Sequence, residues 1–342
     1  MADLNVNSIG DASGGNTTTI NGQTPTLSNM AGRNRIINGD MRIFQRAQSA
    51  TGVTGTGYYT ADRARTSMTG TGTATVNYEV LTNQSVMGET MNALKSVVTT
   101  TDPDRKVRYN QRIEISNCID LSGKTITLSF YAKADSPITL NNIYLSDAST
   151  GNLTSVVFDS VELTTSWQRF SMSATLDDLT ASSYLDVVIG LYGETVNLTN
   201  ATWYLTGVQL EAGSVATPFE HRQYGTELAL CQRYYYRWVA PASTVPIGMG
   251  YAYATTSTLT LVPFPVPMRV RPTALETTGT ASDYRIVRAG PTVITCSSTP
   301  AYSNSSTANG QVLASASGLT AGEGLLLHSN ATGAFLGWSA EL

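Results

Sequence analysis

Only two histidines occur among the 342 residues, and neither sits beside an obvious nucleophile. A Ser-His-acid arrangement needs an imidazole within reach of the serine, often one carried on a G-x-S-x-G turn. His221 lies in Glu220-His221-Arg222, a place to pack or cap, and His328 lies in Leu327-His328-Ser329-Asn330; no G-x-S-x-G occurs. Glycoside hydrolysis would instead need two carboxylates about 5–10 Å apart. Asp177-Asp178 are adjacent in sequence, so on a strand they would face opposite ways. In turns, that pair and Asp102-Pro103-Asp104 are open either to water or to a structural calcium ion. Cys118, Cys231 and Cys296 are too scattered for a zinc site and read as buried free thiols of a protein made in a reducing compartment. No glycine-rich phosphate loop opens a helix. The expectation is a protein without a catalytic site or a cofactor, calcium being the one ion left open.

Aromatic residues carry the more informative chemistry. There are 17 tyrosines and four tryptophans. Flat rings stack on sugar rings, and a tyrosine adds a hydroxyl at its wet end. Tyr58 and Tyr59, in a Gly/Thr-rich loop at 52–60, are candidate glycan contacts, as are Tyr251 and Tyr253. Trp167 and Trp203 fall inside strand patterns and are expected in the core. The run Tyr234-Tyr235-Tyr236-Arg237-Trp238 cannot turn every ring to one core if it is helical, so it reads as a docking surface.

The elements that must position these residues are mostly strands. Hydrophobic residues make up 41% of the chain, enough for a sizeable core, and the length suits about two domains. Charged residues are only 13%, about half the usual share. The net charge of −4 lacks the basic footprint of a nucleic-acid binder. No window approaches 18 apolar residues in a row, and the N-terminus has neither a basic nor an apolar leader region. A cytosolic product with no membrane partner is expected.

Thr125-Ile126-Thr127-Leu128-Ser129-Phe130 alternates cleanly, as do residues 185–191 and 204–210. Many short strands without intervening helical periods indicate a sandwich or jelly roll. Thr217-Pro218-Phe219-Glu220 has the make-up of a helix start, and Gly225 interrupts it. The helix is therefore expected over 226–236, with Leu228, Cys231 and Tyr235 on one face and Tyr234 beside them. At about 11 residues it must pack against something. Strand patterns return at 258–262, 285–287 and 334–340, while Pro263, Pro265 and Pro267 exclude a central strand there. Residues 11–19 are small and polar, the composition of a flexible arm.

The fold class expected is mainly β, with four segments. They are an N-terminal anchoring arm (1–32), a jelly-roll β-sandwich (33–222), a short connecting helix (223–240) and a smaller C-terminal β-sandwich domain (241–342).

Several stretches resemble a known family. Gly32-Arg33-Asn34-Arg35-Ile36-Ile37-Asn38-Gly39-Asp40-Met41, followed by Phe44-Gln45-Arg46, is similar to the opening of the jelly-roll module of bacteriophage tail-fibre and related virion proteins. The resemblance continues through residues 129–134 and 166–170. It is most specific at Leu205-Thr206-Gly207-Val208-Gln209-Leu210-Glu211-Ala212-Gly213 and Thr217-Pro218-Phe219-Glu220-His221-Arg222, and it runs on to residues 227–235 and 335–342. One departure is that Asp62-Arg63 is followed by Ala64, where such proteins commonly carry tryptophan.

The resemblance implies a carbohydrate-binding-module-like jelly roll, a homotrimer and a place on the virion, without catalysis. In that frame residues 1–32 would join other virion proteins, and the helix, through Leu228, Cys231, Tyr234 and Tyr235, would face its symmetry mates. The β domains would contact host surface polysaccharide, and the product would be made in the host cytoplasm and released by lysis. A capsid decoration or head-fibre protein is the alternative. A cellular, non-catalytic carbohydrate-binding module is the second.

Overall fold

The computed structural model describes residues 32–70, 73–99, 105–147, 156–193, 200–288, 290 and 292–342. The arm, apart from Gly32, and the Asp102 and Asp104 pair lie outside them. The chain divides into two compact units, one ending at Arg222 and one spanning Gln223–Leu342.

The first unit is a β-sandwich of two six-stranded antiparallel sheets. One runs β1 (Ser49–Val53), β4 (Thr75–Val86), β5 (Glu89–Thr99), β14 (Ala201–Ala212), β7 (Thr125–Ala134) and β12 (Gln168–Thr175). The other runs β10 (Val156–Val157), β9 (Asn142–Asp147), β13 (Tyr184–Tyr192), β6 (Lys106–Glu114), β3 (Arg65–Thr69) and β2 (Gly57–Tyr58). A two-stranded ribbon, β8 (Ile138–Leu140) with β11 (Val161–Leu163), completes the unit.

The period of two explains the core. Ile126, Leu128 and Phe130 on β7 meet Val107, Tyr109 and Ile113 on β6 and Leu185, Val187, Ile189 and Leu191 on β13, all buried in one cluster. Trp203 joins this cluster, as the strand pattern implies. Trp167 instead lies just outside β12, half-buried against a small group formed by Val86, Met91, Tyr131 and Phe219.

The stretches that carry the family resemblance hold the two ends of this unit together. The Asn34 Oδ1 accepts from the amides of Ile36 and Leu210, at 2.9 and 3.1 Å. The Glu220 carboxylate accepts from the amides of Gly32 and Asn34, and Arg222 donates to the carbonyls of Ile36 and Asn34. Buried Glu211 accepts from the Thr217 amide and hydroxyl and from Gln209 Nε2. Gly207, at φ +57°, sits at a bulge in β14, where a Cβ would lie 2.5 Å from the Tyr131 ring. Ala64 lies in the core beside Arg63, itself buried with a guanidinium nitrogen on the Arg112 carbonyl.

Thr217 and Glu220 are thus committed to sheet-end contacts, and they do not open a helix. The helix α1 spans Tyr224–Gln232, with Gln223 at its N-cap and Gly225 inside it. It ends short of the expected 236 because Tyr235–Val239 forms β15, paired residue for residue with Phe335–Ser339 (β24). The cause is packing. The Tyr236 ring stacks on Trp338 at 6.0 Å, and Phe264 meets the same indole edge-on at 5.2 Å.

The second unit has a three-stranded sheet, β15, β24 and β18 (Glu276–Thr277), and a seven-stranded sheet. The larger sheet runs β20 (Val293–Thr295), β19 (Tyr284–Arg288), β23 (Gly324–Ser329), β16 (Pro246–Ala254), β17 (Ser257–Pro263), β22 (Asn309–Ser315) and β21 (Ala301–Ser305). Their facing residues, among them Val262, Ile286, Val312, Leu327, Leu336 and Trp338, form one core. Pro263 closes β17, and Pro265 and Pro267 lie beyond it. Cys118, Cys231 and Cys296 are free thiols, all buried.

Candidate functional site

The outward face of the second sheet of the first unit concentrates the polar and aromatic residues. On β6 the odd positions enter the core, so Lys106, Arg108, Asn110 and Arg112 point away from it. The same rule puts Tyr184, Asp186, Val188, Gly190 and Tyr192 outward on β13, Asn142, Tyr144 and Ser146 on β9, and Arg65, Ser67 and Thr69 on β3. Register aligns them in rows. Arg65, Asn110, Val188 and Tyr144 lie side by side, and Tyr58 on β2 extends that row opposite Arg65.

The side chains within this face are tied to one another. Arg108 donates to the Tyr144 hydroxyl at 2.7 Å, to Ser67 Oγ at 3.0 Å and to Thr69 Oγ1 at 2.7 Å. Gly190 sits between, where a Cβ would lie 2.6 Å from the Arg108 Cγ. Asn110 Nδ2 donates to Asp186 Oδ2 at 3.1 Å, and Arg112 Nε stands 3.8 Å from the same oxygen. Cations lie over rings at three points: Arg112 over Tyr184 at 4.5 Å, Lys106 over Tyr192 at 4.4 Å and Arg46 over Tyr58 at 5.2 Å.

Burial shapes the electrostatics. Asp186 is buried, which raises its pKa above the ordinary value; the Asn110 hydrogen bond and the charges of Arg112, Arg65 and Arg108 act in the other direction. Burial likewise raises the Tyr144 hydroxyl. Three acceptor oxygens of this face that are shielded from solvent, Asn110 Oδ1, Asn142 Oδ1 and Asp186 Oδ1, have no hydrogen-bond donor among the described residues. A buried acceptor without a donor costs about 1–3 kcal/mol.

The four tyrosines singled out in the sequence do not form one site. Tyr58 belongs to this face. Tyr59 turns back, its hydroxyl on the Gly55 carbonyl at 3.1 Å and its ring against the core. Tyr251 and Tyr253 lie on the second unit, on the outer side of β16, with 46% and 64% of their surface exposed. They share that side with Met249, and Leu261, paired with Met249 on β17, is exposed as well.

The residues expected at a trimer interface are mostly taken up inside the chain. Cys231, Tyr234 and Tyr235 are buried, the Tyr234 carbonyl accepting from the Ala340 amide and the Tyr235 hydroxyl donating to Glu276. Of the four, Leu228 and Cys231 lie on the helix, whereas Tyr234 follows it and Tyr235 opens β15, so they do not share one helical face. Leu228 is half-buried. An apolar groove beside the helix is lined by Ala229, Leu230, Val266 and Pro267.

The remaining chemistry is structural. His221 Nε2 pairs with Glu89 at 3.0 Å, and its ring meets Phe219 edge-on at 5.0 Å. Half-buried His328 has its pKa lowered, chiefly by burial. Asp178 accepts from Ser122 Oγ and from the Thr180 amide and hydroxyl, a self-contained turn. No group of three His, Cys, Asp or Glu side chains stands together to hold a metal ion among the described residues.

The outer face of β6, β13, β9 and β3 could not be singled out from motifs. Its signal was the charged and aromatic alternation of Lys106-Val107-Arg108-Tyr109-Asn110-Gln111-Arg112, polar at every second position.

No family model matches this chain, and no curated protein matches it. Among solved structures, a family 4 carbohydrate-binding module is similar over 52% of this chain and 98% of its own, at 21% identity and a TM-score of 0.33. The enzymatically active domain of tailspike protein 4 of bacteriophage CBA120 is similar over 53% of this chain and 22% of its own, at 15% identity and a TM-score of 0.32. A family 11 module from Clostridium thermocellum, solved with a β-1,3-1,4-mixed-linked tetrasaccharide, is similar over 44% of this chain and 91% of its own, at 14% identity and a TM-score of 0.29.

Proposed function

We propose that the protein is a non-catalytic glycan-binding component of a bacteriophage virion, a homotrimeric tail fibre whose first unit holds host surface polysaccharide. The observation that carries glycan binding is the outward face of β6, β13, β9 and β3. There Tyr58, Tyr144, Tyr184 and Tyr192 stand among Asn110, Asn142, Asp186 and three arginines. Rings stack on the apolar faces of sugars while amides and charged groups meet their hydroxyls, and this face offers both. The virion reading is supported by the sequence resemblance, whose most specific stretches form the closing network around Asn34, Glu211, Glu220 and Arg222.

The trimer is assigned to the outer side of the seven-stranded sheet rather than to the helix. Met249, Tyr251, Tyr253 and Leu261 are exposed there, with half-buried Leu259, Leu313 and Leu326 beside them. This patch is apolar and uncharged, so copies of the same chain meet on it without opposing like charges. Glycan binding is tested with the full chain in affinity gels cast with a panel of bacterial surface polysaccharides. Retardation by at least one supports the reading, and unchanged migration in all of them counts against it. Antibody labelling of intact particles tests the virion placement.

A further inference from the structure

The charge of the glycan face points further than its rings, and the inference rests on the glycan reading above. Arg65, Lys106, Arg108 and Arg112 all stand on this face, contributed by the adjacent strands β3 and β6. Against them are Asp186, and Glu114 at the end of β6. The chain as a whole carries −4, so this surface runs against the balance of the protein that bears it. Arg65, Arg108 and Arg112 all act on the single buried carboxylate of Asp186, which cannot neutralise three guanidiniums.

The cations are not equivalent. Arg108 is fixed by Tyr144, Ser67 and Thr69. Arg112 shares Asp186 and covers Tyr184. Lys106 faces the Tyr192 ring, and the Arg65 guanidinium makes no hydrogen bond or ion pair among the described residues. A neutral sugar has no need of an open guanidinium, whose parallel N–H donors match a carboxylate or another oxyanion.

We propose that this face binds an acidic polysaccharide, with Arg65 and Lys106 taking its anionic substituents. The experiment is affinity electrophoresis of the full chain in polygalacturonate, in its neutral methyl ester, in dextran sulfate and in dextran. Retardation by polygalacturonate that is lost on esterification and weakened by salt is expected, and retardation by dextran sulfate but not by polygalacturonate or dextran would identify the anion as sulfate. Arg65→Ala should weaken binding about tenfold or more, the loss expected of one charge-assisted contact, and Arg65→Lys should recover part of it. Lys95→Ala, on the opposite sheet, should change little. Equal losses in Arg65→Ala and Lys95→Ala would reduce the effect to general charge attraction and overturn the proposal. Retardation by neutral polymers alone would overturn the acidic specificity and leave glycan binding standing. No retardation by any polymer would overturn both.

Discussion

Arg108 on β6 donates to the hydroxyl of Tyr144 on β9 at 2.7 Å, reaching across the strand that separates them. Gly190 on the intervening strand makes room for it, since a Cβ there would lie 2.5 Å from the Val107 carbonyl and 2.6 Å from the Arg108 Cγ. One hydrogen bond thereby couples three strands of the candidate face. Tyr144→Phe removes the acceptor and keeps the ring, and it is expected to cost about 1–2 kcal/mol by urea unfolding and to weaken glycan retention. Gly190→Ala should cost more, because backbone as well as side chain must shift, at about 1–3 kcal/mol. A parent-like midpoint for both variants would show that the bond organises nothing.

Asp186 gives a pH dependence whose sign is set by burial. Its pKa is raised above the ordinary 3.8, so the folded chain holds that proton more tightly than the unfolded chain does. The stability it contributes is complete below 3.8 and is lost as pH rises through the raised value. Asp186→Asn, neutral throughout, lacks this loss and can still accept from Asn110. Its thermal midpoint relative to the parent should therefore improve between acid and neutral pH. A constant difference across that range would contradict the burial argument.

The thiols offer a probe of folding. Burial pushes Cys118 and Cys296 up to about 12, so almost none of either is thiolate at neutral pH. Cys231 is buried too. In native buffer at pH 8 an aromatic disulfide reagent should label none of the three promptly, whereas denaturant should release all three. Fast native labelling of any one would identify a locally open segment.

What was legible in the sequence follows from the physics of its patterns. Alternation exposed β7, β13 and β14 because one side of each strand enters the core while the other does not. The motif stretches were legible because a few polar side chains there satisfy the backbone at the ends of the unit. The candidate face was not, because strand alternation fixes a side but not which strands lie beside each other. Arg65 and Asn110 are neighbours only through register, as are Ser67 and Arg108. The end of the helix is hidden for a related reason: Tyr235 and Tyr236 are drawn into a strand by Ser339 and Trp338, more than 100 positions away, and local pattern cannot see that contact. Gly207 tests the motif account. Gly207→Ala should cost about 1–3 kcal/mol, through both its positive φ and the Tyr131 ring.

Self-association is expected to depend on a sheet and not on a helix. Met249 and Tyr253 are 73% and 64% exposed on the outer side of β16, so a charge placed there stays solvated in a lone chain and harms folding little. Within an assembly the same charge would be buried without a partner, at a cost of several kcal/mol for each copy, roughly. Light scattering after size exclusion should give the full chain a mass near three times 36.4 kDa. Met249→Glu and Tyr253→Glu should lower that mass towards a single chain while the unfolding midpoint holds. Leu228→Asp, on the half-buried helix, serves as the contrast. If it dissociates the assembly with its fold intact and the β16 variants do not, the helix is the interface after all. A parent that runs as a single chain would remove the threefold reading and leave the glycan face to act alone.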